Sequence, residues 1–291
     1  MNSVTVLMST YNGEAYLRAQ VESVLAQEDV DVRLLIRDDG SLDDTKSVLL
    51  SFEGDMRVSV ILGEHLGYAR SFWSLLCMAG GTDYYAFCDQ DDIWLPWKLA
   101  NAVHSIEPFD CPALSTGNVL RADANGNQIG GEVFPIHGPL TLAQSLEKSI
   151  LPGCTFVFNE EARKKLACYS GAMESHDWVT YIIITALGEV SYVSKPGMLY
   201  RLHGDNTLGV DGWWQLQMKR LRRLLKPSKR IRSRMAGDIL STYRDELGHE
   251  QISVLSSLAF YNKNFVSRIR LAFDKRFAGF AFKVHALLGR L

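Results

Sequence analysis

The sequence predicts an α/β fold built on a mostly parallel sheet. Three apolar runs, at residues 4–8, 32–36 and 84–88, have the length and composition of buried strands. Segments with apolar residues at helical spacing separate these runs, and such alternation is typical of a parallel sheet with helices on both faces. Polar residues follow each run, and ligands bind at the carboxyl ends of the strands in such sheets. A functional site is therefore expected at one edge of the sheet.

The other elements follow from the same periodicities and from turn residues. Asp43 and Asp44 offer a start for the second helix. Residues 108–152 are richer in Gly, Pro and Asn, which predicts a mixed sheet with a hairpin at the turn Asn125-Gly126-Asn127. The further elements expected are helices around 17–25, 45–49, 69–78 and 160–166, an apolar helix that ends at 187, and strands at 57–62, 155–158 and 190–193.

The composition is that of an ordinary globular protein. Of the 291 residues, 47% are hydrophobic and 22% are charged, which argues against disorder and against a fibrous repeat. The five cysteines lack CxxC spacing, so neither a disulfide framework nor a zinc site is predicted. No stretch reaches the roughly 18 apolar residues of a membrane-spanning helix, and the N-terminus lacks a leader pattern. The expected location is the cytoplasm, either free or at the inner face of the cytoplasmic membrane.

Charge divides the chain into two regions. Residues 213–291 contain 17 Lys and Arg residues against 5 Asp and Glu residues, whereas residues 1–212 contain 14 against 28. We therefore predict an acidic α/β domain over 1–212 and a basic helical region over 213–291, with a helix at 213–225 and two further helical segments after Pro227. Basic, Trp-rich amphipathic helices suit anionic lipid, and they suit a contact with the acidic domain nearly as well. No nucleic-acid recognition motif accompanies the charge, so nucleic acid is not an expected partner.

Two groups of acidic residues directly follow apolar runs. Asp89, Asp91 and Asp92 of the run Asp-Gln-Asp-Asp offer hard oxygen ligands for Mg²⁺ or Mn²⁺, and such a cation neutralises a diphosphate. The plain alternative is a solvated acidic turn. Asp39 follows the second run, where a carboxylate can accept the imide N–H of a pyrimidine base, although Asx turns and helix starts use the same residue types.

Taken together, several segments resemble those of family 2 glycosyltransferases, which have the GT-A fold, a Rossmann-like nucleotide-binding half on a mixed central sheet. The resemblance is carried by residues 6–13, by the turn Asp38-Asp39-Gly40-Ser41 and by residues 89–96. Within that family the chain is most similar to bacterial rhamnosyltransferase-like enzymes, through residues 152–155, His176-Asp177-Trp178 and residues 200–206. These segments occur in family order over residues 4–206.

The resemblance implies a role for each candidate residue. Asp177 takes the position of the general base, which implies displacement with inversion, and a helix N-cap is its structural alternative. The residues implied in nucleotide and diphosphate binding are Thr10, Tyr11, Asn12, Asp39, Asp89, Arg201 and His203. Those implied at the metal are Asp89, Asp91, Asp92 and His203.

The implied reaction is the transfer of a sugar from dTDP-L-rhamnose, or from a UDP-sugar, to a cell-surface polysaccharide or a lipid-linked saccharide. Two other classes stay open at this point. A nucleotidyltransferase would carry a Gly-rich loop with a lysine, which residues 9–13 lack, and a non-catalytic sugar-nucleotide-binding or scaffold protein would keep the fold alone. The chain has Gly117-Asn118 where relatives often have Ser-Asp. If that position contacts the donor or the acceptor, the substrate specificity is expected to differ from that of those relatives.

Overall fold

The computed structural model describes residues 1–133, 140–203 and 230–291. The helix predicted at 213–225 and the boundary predicted at residue 212 lie outside these ranges. In chain order the strands are β1 Asn2–Thr10, β2 Val30–Asp38, β3 Val58–Leu62, β4 Tyr84–Cys88, β5 Ile93–Trp94, β6 Ala113–Gly117, β7 Leu120–Ala122, β8 Gln128–Glu132, β9 Val157–Asn159, β10 Glu189–Val193 and β11 Met198–Arg201. The α-helices are α1 Leu17–Leu25, α2 Thr45–Leu50, α3 Tyr68–Met78, α4 Lys98–Ile106, α5 Leu142–Glu147, α6 Glu160–Ala167, α7 His176–Leu187, α8 Ile231–Thr242, α9 His249–Ala259, α10 Phe265–Ala272 and α11 Phe280–Leu287.

The main sheet of the described residues has the strand order β10-β6-β9-β4-β1-β2-β3. β1 pairs in parallel with β2 on one side and β4 on the other, and its residues from 4 to 8 are all buried, as a central parallel strand requires. β9 runs antiparallel to both of its neighbours. The prediction of an α/β fold with a mixed central sheet is confirmed. The strand predicted at 155–158 begins at Val157, because Gly153–Thr155 forms a 3₁₀ turn.

A second sheet, with the order β5-β11-β7-β8, joins distant parts of the chain. β5 follows the acidic run directly, and β11 pairs with it in antiparallel fashion, with Leu199 opposite Ile93. This pairing brings the segment after β11 next to the acidic run. β7 and β8 form the predicted hairpin, and Asp123 Oδ1 closes its turn by accepting from the N–H of Asn127 at 2.9 Å.

The described C-terminal helices, α8 to α11, pack on the α/β domain. Ile239 and Tyr243 are buried in one hydrophobic cluster with side chains of α3, α6 and α7. The Tyr243 hydroxyl donates to the carbonyl oxygen of Lys165 at 2.8 Å, and Asp238 accepts from the N–H of Ala172 at 2.7 Å. The sequence left open whether the basic region binds anionic lipid or contacts the acidic domain. Within residues 230–291, contact with the acidic domain is present.

The expectation of two helical segments after Pro227 is wrong, because residues 230–291 contain four α-helices. Short breaks separate them, with Gly248, Asn264 and Gly279 at the N-cap positions of α9, α10 and α11. Apolar residues recur across these breaks, so periodicity alone merges the helices. Within the described ranges, no helix is both long and apolar enough to span a membrane.

Replacing Ile239 by alanine should lower the free energy of unfolding by about 2–5 kcal/mol, because a fully buried aliphatic side chain leaves a cavity. Since α8 shares its core with the α/β domain, urea unfolding followed by tryptophan fluorescence should show one transition that shifts as a whole. Ser241→Ala, at an exposed position of the same helix, is the control and should change this free energy by less than about 0.5 kcal/mol. A separate transition that alone responds to Ile239→Ala would contradict the shared core.

Candidate active site at the carboxyl end of the sheet

The acidic run lies at the carboxyl end of β4. One oxygen atom each of Asp89 and Asp92 and the Sγ atom of Cys154 lie within 4.8 Å of one another. Cys154 belongs to the 3₁₀ turn that leads into β9, the antiparallel neighbour of β4. The Oδ2 atom of Asp92 is buried and makes no hydrogen bond of normal geometry within the described residues. Two carboxylates, one with an unbonded oxygen, fit a hard divalent cation.

Burial and mutual repulsion raise the proton affinity of these groups. Burial, with the charges of Asp91 and Asp177, raises the pKa of Asp89 to about 7. Burial, followed by the charges of Asp91 and Asp89, raises the pKa of Asp92 well above its usual range. The pKa of the buried Cys154 thiol is also raised, so this sulfur is a neutral thiol and not a nucleophile. A divalent cation would relieve the repulsion among the carboxylates.

A buried lysine lies behind the acidic residues. Lys98, the first residue of α4, is 5% exposed, and its Nζ atom lies 3.5 Å from the centroid of the Trp94 ring. Burial lowers the pKa of Lys98 to about 8, and the negative groups around it, including Asp92 and Asp89, oppose this shift. Its ammonium group therefore offsets part of the negative charge of the cluster. The sequence analysis missed Lys98, although it is the charged residue on the otherwise apolar buried face of α4.

The segment after β11 covers another side of the acidic run. The backbone N–H of Arg201 donates to Asp92 Oδ1 at 3.2 Å, and His203 Nε2 lies 2.8 Å from Asp91 Oδ2. The ring of Tyr16 stacks on that of His203 with 4.6 Å between centroids, and the Arg201 guanidinium lies 4.8 Å from the Tyr16 ring. The structure thus brings together residues that the sequence analysis assigned to diphosphate and metal. Their ligand roles stay predictions, and Tyr16 was missed because no motif marks it.

Gln90, the uncharged residue of the acidic run, fixes the loop after β1. Its Oε1 atom accepts from Thr10 Oγ1 at 2.6 Å and from the N–H of Tyr11 at 2.8 Å, and its Nε2 donates to the Tyr11 carbonyl oxygen at 3.2 Å. Asn12 has a φ of 48°, and its side-chain oxygen accepts from the N–H of Leu42 at 2.9 Å. Thr10 and Tyr11 therefore lie beside the acidic run. The sequence analysis assigned no role to Gln90, because its partners lie about 80 residues away.

Asp39 follows β2 and is 2% exposed. Its Oδ1 atom pairs with Arg37 and accepts from the N–H of Leu66 at 2.9 Å, while Oδ2 accepts from the N–H of Gly67 at 2.8 Å. His65 Nδ1 lies 3.1 Å from the same Oδ2. These contacts fix the loop before α3, so the structural use of Asp39 is a long-range contact and not the Asx turn or helix start that the sequence left open. The contact of Asp39 with a nucleotide base stays a prediction.

Asp177 lies in the first turn of α7. Ser175 holds the N-cap position of this helix, so capping does not account for the Asp177 carboxylate, which accepts from the N–H of Trp178. A Cβ atom added at Gly153 would lie 2.8 Å from Asp177 Cβ, so the 3₁₀ turn packs directly against Asp177. The charge of Asp177 contributes to the raised pKa of Asp89. Its role as general base stays a prediction.

The family profile described as Glycosyl transferase family 2 matches residues 5–166, more than half of the chain. The matched segment includes most of β1, the acidic run and β9. The chain belongs to glycosyl transferase family 2.

Individual relatives of this family 2 glycosyltransferase differ in how much of it they share. The chain is 28% identical over 230 residues to the dTDP-rhamnosyl transferase RfbG of Shigella flexneri, which covers 74% of this chain and 78% of that protein. It is 33% identical over 108 residues to the UDP-Glc:alpha-D-GlcNAc-diphosphoundecaprenol beta-1,3-glucosyltransferase WfaP of Escherichia coli, covering 37% and 42% respectively. The structure of S. aureus TarS 1–349 in complex with UDP-GlcNAc matches 99% of this chain and 79% of that one, with a TM-score of 0.60 at 16% identity. The fold is therefore that of GT-A glycosyltransferases, and the enzyme is a nucleotide-sugar transferase.

A buried histidine adjoins Asp177 in this glycosyltransferase. The ring of His176 stacks on Phe72 with 4.0 Å between centroids and meets the edge of Phe87 at 4.8 Å. Neither ring nitrogen has a hydrogen-bond partner in the part of the chain that the structure describes. Burial lowers the pKa of His176 to about 4, although the charge of Asp177 opposes the shift. The imidazole is therefore neutral at physiological pH and packs as an aromatic ring.

His176→Phe should remove part of the acid sensitivity of the fold. Because the folded-state pKa of His176 lies below the unfolded value of 6.5, its contribution to stability is full above pH 6.5 and is lost as the pH falls toward 4. Urea unfolding at pH 7 and pH 5 should show that the parent loses about 2 kcal/mol more than His176→Phe does. His104→Phe, at an exposed histidine, should behave like the parent. Identical pH dependence in all three proteins would show that His176 is not held neutral by burial.

Proposed function

We propose that this enzyme transfers L-rhamnose from dTDP-L-rhamnose to a saccharide acceptor, with inversion at the anomeric carbon. The observation that carries the proposal is the buried acidic cluster of Asp89 and Asp92, near enough to Asp177 for the charge of Asp177 to raise the pKa of Asp89. The reaction needs a stabilised diphosphate leaving group and a deprotonated acceptor hydroxyl. The acidic cluster is suited to stabilising the diphosphate leaving group. The separate Asp177 carboxylate is suited to deprotonating the acceptor hydroxyl.

The donor assignment is supported by RfbG, whose name specifies dTDP-rhamnose chemistry and which matches about three quarters of this chain. A UDP-sugar is the second candidate, because WfaP is named for UDP-Glc and the TarS structure contains UDP-GlcNAc. Thymine and uracil present the same imide N–H, from which the Asp39 carboxylate would accept a hydrogen bond. Thr10, Tyr11 and Asn12 would contact the nucleotide from the loop that Gln90 fixes.

Asp89 and Asp92, whose oxygen atoms lie within 4.8 Å of each other, would hold a divalent cation together with the neighbouring Asp91, which His203 contacts at 2.8 Å. The unbonded Oδ2 of Asp92 and the repulsion among these carboxylates fit such an ion. When bound, Mg²⁺ or Mn²⁺ neutralises the donor diphosphate and stabilises the charge that grows on it as the glycosidic bond breaks. Arg201, whose guanidinium lies over Tyr16, would add a positive charge toward the diphosphate.

Asp177 would accept the proton of the attacking hydroxyl. Its carboxylate is partly accessible and lies on a helix, so that its position is set by the packing of α7 against the Gly153 turn. A single base that acts opposite the leaving group gives displacement in line, and hence inversion. A non-catalytic sugar-binding protein would have no need for a carboxylate at this place.

The acceptor would bind in a cavity of about 710 Å³ between the start of α3, residues 169–173 and α8. Its volume is typical of small-molecule sites, and its walls include Tyr68, Trp73, Arg70 and Arg234. The Tyr68 hydroxyl contacts the carbonyl oxygen of Glu174 at 3.5 Å, and burial together with the charge of Asp177 raises the pKa of Tyr68. The cavity therefore begins close to the proposed base.

The two arginines indicate the chemical class of the acceptor. Neither Arg70 nor Arg234 pairs with an acidic residue within the described ranges, and both are exposed at the cavity. Aromatic walls suit a sugar ring, and unpaired guanidinium groups suit phosphate oxygens. A saccharide carried on a lipid diphosphate has both features, and the name of WfaP specifies such an acceptor. The enzyme would then act at the inner face of the cytoplasmic membrane.

Asp177→Asn should reduce turnover by about 10²–10⁴-fold while donor binding is kept, because the substitution removes the base and preserves the shape of the side chain. Turnover is measured as nucleotide released from dTDP-, UDP- and GDP-sugars with Mn²⁺, and donor binding by calorimetry. Glu174→Gln, at an exposed carboxylate nearby, is the matched control and should retain turnover. Unchanged turnover in Asp177→Asn would remove this residue from the mechanism, and no release from any donor would favour a binding protein.

The double variant Arg70→Gln, Arg234→Gln should discriminate between acceptors. We expect its kcat/KM to fall at least about tenfold for a glycosyl diphosphate with a short alkyl chain, and much less for the alkyl glycoside of the same sugar. Arg18→Gln, which alters an exposed arginine on α1, is the control. Equal losses for the charged and the neutral acceptor would contradict recognition of phosphate by this pair.

A further inference from the structure

The last two helices, α10 and α11, leave large apolar side chains in solvent. Phe265 is 65% exposed, Phe273 is 76% exposed and Phe280 is 82% exposed. Phe265, Ile269 and Phe273 are four residues apart, so they occupy one side of α10. Val266 is also more than half exposed. We call these five residues, Phe265, Val266, Ile269, Phe273 and Phe280, the C-terminal aromatic face.

The exposure of this face does not arise from loosely attached helices. Phe277 and Phe282 are buried between α10 and α11 and stack with 4.7 Å between ring centroids. Leu271 of α10 is also buried, and the N–H of Gly279 donates to the Glu147 carboxylate on α5 at 3.0 Å. Other apolar side chains therefore fill the core positions, and the aromatic face is held outward on a fixed support.

The segment that carries the C-terminal aromatic face is basic. Residues 260–291 contain seven Lys and Arg residues and one acidic residue, Asp274, which pairs with Arg276. Arg270, Lys275 and Lys283 form no ion pair with an acidic residue in the described ranges. Exposed aromatic rings among unpaired cations are the combination that binds the interface of an anionic bilayer.

We propose that the C-terminal aromatic face, with Arg270, Lys275 and Lys283, docks the enzyme on the surface of an anionic membrane. The rings enter the boundary between headgroups and acyl chains, and the cations bind the lipid phosphates. A second copy of the chain is a poorer occupant, because two such faces would bring like charges together. The proposal deepens the proposed function, on which it rests for its purpose, since a lipid-linked acceptor is presented at that surface.

The test is sedimentation of the full chain with vesicles of phosphatidylglycerol and phosphatidylcholine in about a one-to-three ratio. The variant Phe265→Ser, Phe273→Ser, Phe280→Ser should bind at least about tenfold more weakly than the parent. The matched control is Leu50→Ser, Met56→Ser, Leu62→Ser, which removes three exposed apolar residues from the α/β domain and should bind like the parent. Because the substituted side chains are exposed, both variants should unfold at the parent's urea midpoint.

A second variant, Arg270→Gln, Lys275→Gln, Lys283→Gln, should lose binding to the anionic vesicles and bind pure phosphatidylcholine as the parent does. Parent-like binding by the serine variant of the aromatic face would overturn the proposal, as would a parent that does not sediment. Light scattering that shows a dimer in the parent and a monomer in the serine variant would also overturn it, because the aromatic face would then bind a second copy of the chain. Release of nucleotide from a soluble donor should be the same in all variants, so that failure of docking is distinguishable from failure of the proposed reaction.

Discussion

The concentration of negative charge at the end of β4 is the constraint on which the site depends. Ionised carboxylates in a buried place are costly unless they are paired or bound to a cation. Here the Lys98 ammonium lies behind the cluster, and the Arg201 N–H and His203 reach Asp92 and Asp91 from the side. These partners leave an unbonded Asp92 oxygen and a set of mutually repelling carboxylates. In the proposed function, a divalent cation and the donor diphosphate would complete this arrangement.

Two departures from a simple parallel sheet create the walls around that charge. The antiparallel strand β9 is entered through the 3₁₀ turn that carries Cys154 and supports Asp177. The pairing of β5 with β11 returns the chain to the acidic run about 100 residues later and places Arg201 and His203 there. A sheet made of parallel strands alone would offer the acidic run an open edge. The inserted strand and the second sheet instead bring side chains against the acidic run.

The sequence predicted the strand ends and the acidic run well, because buried parallel strands are continuous apolar runs and the residues that follow them are polar. It did not predict the parts that depend on distant pairing. The structural role of Gln90 depends on its contacts with Thr10 and Tyr11. That of Tyr16 depends on its contact with His203. In both cases the partners are far apart in sequence. The sequence does not distinguish Lys98 from an exposed helix residue, because the burial of its side chain depends on tertiary packing. The sequence pattern does not separate the four C-terminal helices, because apolar residues recur across the breaks between them.

The uneven distribution of charge acquires a physical reason from this arrangement. In the proposals above, the α/β domain would hold a cation, whereas the C-terminal helices would meet phosphate in two places. Arg234 on α8 would meet the phosphate of an acceptor, and the cations on α10 and α11 would meet those of lipids. Since α8 to α11 share one core with the α/β domain, the cavity and the aromatic face are fixed relative to each other. Docking through that face would therefore hold the cavity at one fixed height above the bilayer.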